Sequence, residues 1–241
     1  MRLAVAIQMD PIQTININTD STFMLAMEAQ TRGHSLYYYL PSELAFRDGK
    51  LFAKIRPIEI RREMGNHCSV GKEEITDLSA VDVILMRQDP PFDMAYITAT
   101  HLLEHVHPDT LVINDPMQVR NAPEKLFVTH FENVLPPTLI TSDQAEIYAF
   151  RNEHKDVIIK PLFGNGGADV FHITQDDENM SALIEMFAEK YREPIIVQRY
   201  LPEIREGDKR IILVDGAPVG GVLRIPAQGD ARANFHAGGS A

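Results

Sequence analysis

The sequence predicts an α/β chain: a doubly wound domain around a parallel sheet, followed by an α+β domain around an antiparallel sheet. Three observations carry this reading. Short apolar runs alternate with amphipathic stretches over roughly the first 115 residues, the pattern of strands joined by crossover helices. Val81-Asp82-Val83-Ile84-Leu85-Met86 is apolar enough to be buried on both faces, as strands of parallel sheets are. In the second half the alternation changes, and Asp215-Gly216 joins two apolar runs, a strong β-hairpin signal.

Residues 3–8 form the first apolar run, ending at Asp10-Pro11. Asp20-Ser21 then opens a pattern through Phe23, Leu25, Ala26 and Ala29 to Gly33, which reads as a capped helix. Residues 36–40 supply a second strand, 81–86 a third, 93–107 a helix and 111–113 another strand. Residues 46–72 show no clear period and read as a hairpin or excursion. Asn114-Asp115-Pro116 and Asn121-Ala122-Pro123 bracket a short helical segment, and this proline density places a boundary near residues 115–122, giving domains 1–120 and 121–241. Beyond it follow a helix at 142–154, a strand at 157–160, a glycine-rich turn, a strand at 170–174, a helix at 179–191, a strand at 195–198, and a hairpin of 209–214 with 217–224.

Composition narrows the function. At 241 residues and 44% hydrophobic content the chain can bury a sizeable core. A net charge of -11 argues against a nucleic-acid sheath, because phosphate backbones are bound through basic surface. A small anionic substrate remains compatible if local Arg and Lys oppose the overall field. The N-terminal apolar run is too short for a signal segment and no stretch of about 18 apolar residues occurs, so a cytoplasmic protein without a membrane partner is expected. Cys68 stands alone, which excludes an internal disulfide and reads as an incidental free thiol. His101, His105 and His107 have spacing that shares a helix face, but only Glu104 accompanies them; their place in the last predicted turn favours a macrodipole role over a metal. Asp89 and Asp93, beside Pro90-Pro91, suit turn and N-cap roles better than acid–base work.

The most informative segment is Ile158-Ile159-Lys160-Pro161-Leu162-Phe163-Gly164-Asn165-Gly166-Gly167-Ala168-Asp169-Val170. A lysine ending a buried strand can place an ammonium against phosphate, and glycines let backbone N–H groups approach phosphate oxygens that a Cβ would keep away. A tight hairpin with a solvated lysine would give a similar string. The order of four features favours the first reading: Glu124-Lys125-Leu126, the Lys160 strand with its glycines, Val197-Gln198-Arg199-Tyr200-Leu201-Pro202, and Asp208-Lys209-Arg210. Two lysines on separate elements can hold α and β phosphates together. An extended segment ending at a proline exposes backbone groups suited to an adenine edge. No G-x-x-x-x-G-K-[ST] occurs, which disfavours a P-loop enzyme. Arg87, just past a central strand, lies where open α/β sheets bind ligands and is a candidate for a substrate carboxylate.

This order resembles the ATP-grasp superfamily and, at closer range, the prokaryotic-type glutathione synthetases, along essentially the whole chain. Its most specific pieces are Met9-Asp10-Pro11, Met86-Arg87-Gln88-Asp89-Pro90-Pro91-Phe92-Asp93, residues 121–127 around Glu124-Lys125-Leu126, Lys160-Pro161-Leu162 with Gly164, Gly166 and Gly167, residues 198–202, and Gly207-Asp208-Lys209-Arg210. Gln88 and Arg199 stand where the resemblance leads one to expect a more basic and a more polar residue. The resemblance implies a ligase that joins γ-glutamylcysteine to glycine with ATP and Mg2+ or Mn2+, through an acyl phosphate, in a homo-oligomeric dimer or tetramer. It implies Lys125 and Lys160 on the phosphates, a flap of Gly164, Asn165, Gly166 and Gly167, an adenine hinge of Gln198, Arg199, Tyr200 and Leu201, and Asp208 on the ribose. Arg210 and Arg224 would be catalytic and substrate-binding, Gly238 and Gly239 would bind substrate, and residues 225–240 would form a mobile lid. The metal carboxylates would lie beyond Ala241, so no metal ligand is expected within these residues, and the 241-residue chain, read as an incomplete ATP-grasp domain, is expected to have little activity alone.

Competing readings of single residues are plainer. Arg210 could be a cross-strand ion partner of Asp208, Glu206 or Asp215. Arg87 could cap a helix or pair with Asp89 or Asp93, Lys125 could sit on a solvated helix face, and Tyr200 and Phe163 could simply pack. At the level of the chain, the alternatives are another ATP-grasp carboxylate–amine ligase acting on amino acids or dipeptides, or a catalytically inactive nucleotide-binding fragment.

Overall fold

The structure, a computed structural model, describes residues 1–230, 232–234 and 238–240. The chain divides into two compact units, Met1–Pro123 and Glu124–Ala241.

The first unit runs β1 (Ala4–Gln8), α1 (Ser21–Thr31), β2 (Ser35–Tyr39), β3 (Leu44–Arg47), β4 (Lys50–Ile60), β5 (Cys68–Val70), β6 (Glu74–Asp77), β7 (Val83–Met86), α2 (Met94–Leu103), β8 (Leu111–Ile113) and α3 (Pro116–Asn121). Its sheet has the order β3-β4-β2-β1-β7-β8. β1 pairs in parallel with β2 and β7, and β7 in parallel with β8. Core clusters form on both faces. Ala6, Tyr39, Ile84, Met86 and Val112 pack with Leu103 of α2; Val5, Ile7, Leu36 and Tyr38 pack with Phe23 and Ala26 of α1. The doubly wound expectation therefore holds for these four strands.

The excursion expected at 46–72 is an antiparallel extension of the same sheet. β4 pairs with β2 through Tyr37↔Pro57 and Tyr38↔Arg56, and β3, β5 and β6 pair with β4. Its period was hidden because β4 changes its buried face midway. Leu51, Ala53 and Ile55 enter one core, whereas Ile58 and Ile60, of opposite parity, enter the other. Cys68 lies half-buried on β5, and burial pushes its thiol pKa up.

Both predicted N-caps are in place: the Asp20 carboxylate accepts from Phe23 N–H at 2.7 Å and that of Asp93 from Tyr96 N–H at 3.0 Å. The second helix ends earlier than the predicted 107. After Leu103 the chain tightens into turns, with His105 and Val106 N–H groups donating to Leu102 and Leu103 carbonyls, and Pro108 has no N–H to continue a helix. The histidines consequently diverge. Only His101 occupies the last turn; the His105 ring stacks near Phe46 with centroids 4.3 Å apart; His107 Nδ1 accepts from Val112 N–H at 3.3 Å.

The second unit runs α4 (Glu124–Phe127), β9 (Thr138–Thr141), α5 (Gln144–His154), β10 (Val157–Pro161), β11 (Phe171–Ile173), α6 (Met180–Lys190), β12 (Ile195–Arg199), β13 (Asp208–Val214) and β14 (Ala217–Arg224). An antiparallel sheet of order β11-β10-β12-β9 carries the core, in which Val157, Ile159, Ile173, Ile195 and Val197 meet Ile147 of α5 and Leu183, Ile184 and Phe187 of α6. β9 was not anticipated, because its four residues are uniformly half-buried and show no alternation. β13 and β14 form a separate hairpin turned at Asp215 and Gly216, both with positive φ. The segment after it is closed by a bridge in which Ile225 and Ser240 exchange backbone hydrogen bonds of 2.8 and 3.0 Å. Residues 231 and 235–237 of the expected lid lie outside the described residues. Among the described residues no helix is long and apolar enough to cross a membrane.

Phe187 is 1% exposed at the centre of the second core. Phe187→Ala should lower the unfolding free energy by about 3–5 kcal/mol in urea denaturation, the cost of the lost transfer and the cavity left behind.

Candidate active site

Period-two alternation places the central lysine. Val157 and Ile159 of β10 are fully buried against the helices, so Ile158 and Lys160 face the opposite side, where they line a cavity of about 330 Å³. Lys125, on the one-turn α4, enters the same cavity, and its Nζ donates to the Pro161 carbonyl at 2.7 Å and the Gly164 carbonyl at 3.0 Å. It does not sit on a solvated helix face. Burial pushes both lysine pKa values down, and for Lys160 the neighbouring Lys125 charge lowers it further. Two like charges thus share one partly desolvated space.

β10 and β11 are antiparallel neighbours, through Ile159↔Phe171 and the pairs beyond, but residues 162–170 between them form a long loop rather than a tight hairpin. Gly164, Asn165, Gly166 and Gly167 all line the cavity. Gly166 and Gly167 have φ of 63° and 82°, and a Cβ on Gly167 would fall 2.8 Å from Asn234 Oδ1. The downstream end of the loop is tied by the Asp169 carboxylate, which accepts from Lys190 Nζ at 2.6 Å and from the Tyr191 hydroxyl.

Gln198, Arg199, Tyr200 and Leu201 line the cavity as well. Their backbone is less open than the sequence suggests. The Arg199 N–H donates to the Pro137 carbonyl at 3.0 Å, just before β9, which the sequence reading missed, and the Tyr200 N–H to the Asp156 carbonyl at 2.9 Å, just before β10, because this segment continues β12 between those two strands. Gln198 Nε2 donates to Thr138 Oγ1 at 2.9 Å. Tyr200 stacks on His172, with ring centroids 3.9 Å apart, and its hydroxyl accepts from Arg205 Nε at 2.9 Å. Phe163 is half-buried.

The hairpin residues behave unequally. Asp208 lines the cavity but both its oxygens accept from Arg224, Nε and Nη2 each at 2.6 Å, so Arg224 and not Arg210 is its ion partner. The register pairs Asp208 with Arg224 and Arg210 with Val222, which puts both arginines on one face of the hairpin; Arg210 is exposed. Gly238 and Gly239 lie outside the cavity lining. A Cβ on Gly239 would stand 2.4 Å from the Ala233 carbonyl, so this glycine permits two backbone strands of the 225–240 segment to cross.

Sequence reading missed Arg232, Ala233 and Asn234, which line the cavity beside the glycine loop. Arg232 Nη1 donates to the Gly167 carbonyl at 3.0 Å and Nη2 pairs with Asp230 at 2.8 Å. The only available signal was a polar pair inside a glycine- and alanine-rich stretch.

In the first unit, Arg87 lies one residue past β7. Its Nε donates to Thr22 Oγ1 at 3.0 Å and Nη2 to Ser21 Oγ at 2.8 Å, at the start of α1. The Asp89 N–H donates to Asp10 Oδ2 at 2.7 Å.

Among the described residues no three His, Cys, Asp or Glu side chains come together to hold a metal ion, so no residue here is assigned to one.

A parallel-sheet unit followed by an antiparallel sheet carrying a glycine loop is the fold of the ATP-grasp ligases. D-cycloserine synthetase superposes with a TM-score of 0.61 at 16% identity, over 92% of this chain and 68% of its own. D-alanyl-alanine synthetase A from Vibrio cholerae does so with a TM-score of 0.57 at 10% identity, over 94% and 69%. Family models narrow the class: residues 3–120 match the prokaryotic glutathione synthetase N-terminal domain and residues 124–241 the prokaryotic glutathione synthetase ATP-grasp domain. The chain is 56% identical to the glutathione synthetase of Mesorhizobium japonicum over all of its length and 77% of the relative's, and 59% identical to that of Agrobacterium fabrum over 98% and 74%. The chain belongs to the prokaryotic glutathione synthetase family, ATP-grasp ligases that form glutathione using ATP and a divalent metal.

Two outcomes follow from the cavity. Gly167→Ala should weaken nucleotide binding, since positive φ costs an L-residue about 1–2 kcal/mol and the added methyl meets Asn234; calorimetric titration with ATP measures it. For Lys160, folding lowers the pKa, so the unfolded chain binds more protons at alkaline pH and stability rises with pH through the folded value. Lys160→Met should therefore be more stable than the parent at pH 7 in urea denaturation, with an advantage that shrinks toward pH 10.

Proposed function

We propose that the cavity of the second unit takes ATP, with Lys125 and Lys160 on its phosphates, and that the ligase forms glutathione through an acyl phosphate. The single observation behind this is the pair of ammonium groups placed in one partly dry cavity beneath a glycine loop. Such a pair is unfavourable when empty and becomes favourable once a polyanion arrives. Gly164, Asn165, Gly166 and Gly167 form a flap with little side-chain bulk, which lets backbone groups approach phosphate oxygens. For the adenine, Leu201 offers the cavity its N–H, its carbonyl being taken by Ile204 N–H at 3.1 Å. Gln198, Arg199 and Tyr200 frame that edge, and Asp208 holds the ribose while fixing Arg224.

The reaction asks for little covalent chemistry from the protein. The cysteinyl carboxylate of γ-glutamylcysteine takes the γ-phosphoryl group and ADP leaves; the glycine amine then attacks the acyl carbon and phosphate departs. Arg210 and Arg224 stabilise the carboxylate, the acyl phosphate and the oxyanion that develops, as planar cations do better than ammonium groups. Gly238 and Gly239, with the described residues 225–230 and 232–234, form the lid that keeps water from the acyl phosphate. Arg87 holds a carboxylate of the dipeptide, its guanidinium oriented by Ser21 and Thr22. A divalent metal, Mg2+ or Mn2+, would supply charge neutralisation when bound with the nucleotide. The protein works in the cytoplasm as a homo-oligomer.

Titration of a nonhydrolysable ATP analogue into the parent and into Lys125→Met and Lys160→Met tests the assignment. Each variant should bind about 10-fold or more weakly, since a charge-assisted hydrogen bond contributes about 1.5–3 kcal/mol. Equal affinity in all three would sink it.

A further inference from the structure

At the carboxyl edge of the parallel sheet a buried amide sits where packing alone would place an apolar side chain. Gln8, the last residue of β1, is fully buried, and Tyr39, its register partner on β2, is fully buried too. Neither is satisfied: among the described residues Gln8 Oε1 and the Tyr39 hydroxyl have no hydrogen-bond partner. Buried polar groups are nearly always paired, so two orphans side by side at the ends of neighbouring strands indicate a site whose geometry is kept for a purpose other than stability.

The one bond Gln8 makes through its side chain reaches that purpose. Gln8 Nε2 donates to Gln88 Oε1, two residues past the end of β7. Two further tethers flank it, Arg87 N–H to the Gln8 carbonyl at 2.8 Å and Asp89 N–H to Asp10 Oδ2 at 2.7 Å. An amide anchored through its oxygen presents its NH2 from the opposite corner. Gln88 is only half-buried, and among the described residues no protein group accepts from its Nε2. Arg87 and Gln88 are successive residues at a strand end and lean to opposite faces of the sheet, so together they bracket the edge where open α/β sheets take ligands.

We infer that Gln88 is a substrate-binding residue whose amide NH2 donates to an oxygen of the γ-glutamyl dipeptide, and that Gln8 is the positioning residue that holds this donor outward. The inference rests on the reading that the Arg87 edge takes the dipeptide. A bound oxygen acceptor completes the donor set that Arg87 begins, and a buried glutamine under it fixes which end of the Gln88 amide faces out. Aspartate or glutamate at position 88 would present only acceptors and repel the same ligand.

Calorimetric titration of γ-glutamylcysteine into the parent, Gln88→Glu, Gln88→Leu, Gln8→Leu and Arg87→Ala, with the nonhydrolysable ATP analogue titrated into each, separates the possibilities. Gln88→Glu should weaken dipeptide binding by about 10-fold or more and Gln88→Leu by about 5-fold, with nucleotide affinity unchanged, as expected for losing a hydrogen bond to an anionic or polar ligand. Gln8→Leu should weaken the dipeptide several-fold while leaving the thermal midpoint equal or higher, because it removes an unsatisfied buried amide. A purely structural Gln8 would shift the midpoint and spare dipeptide affinity, which would overturn its positioning role. Parent-like dipeptide binding in both Gln88 variants, with Arg87→Ala impaired, would overturn the Gln88 assignment and leave the Arg87 reading standing. Parent-like binding in Arg87→Ala as well, or no dipeptide binding by the parent, would overturn both.

Discussion

Two ammonium groups held in one partly desolvated cavity are the constraint around which the second unit is organised. Each pays a desolvation cost, and the Lys125 charge adds to that of Lys160, against which the nearby Glu124 carboxylate works only in part. What holds them is geometry. Lys160 is committed by the alternation of β10, whose Val157 and Ile159 cannot leave the core, and Lys125 is pinned by two carbonyls of the chain that leads into the glycine loop. The same carbonyls accept protons that a phosphate oxygen would otherwise attract, so the site is shaped before any anion enters it.

The glycine loop and the segment 225–240 depend on this cavity in a second way. Gly167 leaves space for Asn234 and its carbonyl accepts from Arg232, while Gly239 lets the backbone pass within reach of Ala233. Tyr200, Arg205, Asp230 and Arg232 continue the contacts around the opening: Arg205 donates both to the Tyr200 hydroxyl and, at 2.7 Å, to the Asp230 carbonyl. Tyr200, the glycine loop, and Asp230 and Arg232, which follow the hairpin, are therefore joined in one hydrogen-bonded rim within the second unit. The Asp208–Arg224 pair sits beside it and explains how a carboxylate proposed for the ribose and an arginine proposed for the chemistry can come from opposite strands of one hairpin.

The first unit solves a different problem. A parallel sheet covered on both faces leaves its carboxyl edge as the place where polar side chains can emerge without breaking the core. Arg87 and Gln88 leave β7 at that edge, and their orientations are set by groups far away in sequence, Ser21 and Thr22 for one and Gln8 for the other.

Local chemistry made much of this legible. The caps at Asp20 and Asp93, the Asp215-Gly216 turn, the buried alternation around Lys160 and the glycines after it all act within a few residues, so the sequence alone determined the helices they start, the hairpin and the side of β10 from which the lysine emerges. The pairing of strands distant in sequence was decided only in three dimensions. β4 hid its period by changing faces between two cores, and β9 showed none, yet the residue leading into β9 takes the Arg199 N–H while the one leading into β10 takes that of Tyr200. Likewise the choice of Arg224 over Arg210 as the partner of Asp208, the entry of Arg232 and Asn234 into the cavity, and the burial of Gln8 beneath Gln88 follow from register and from chain crossings. Those are long-range facts, because a side chain's partners across a sheet or loop depend on which backbone lies beside it, and no local pattern records that.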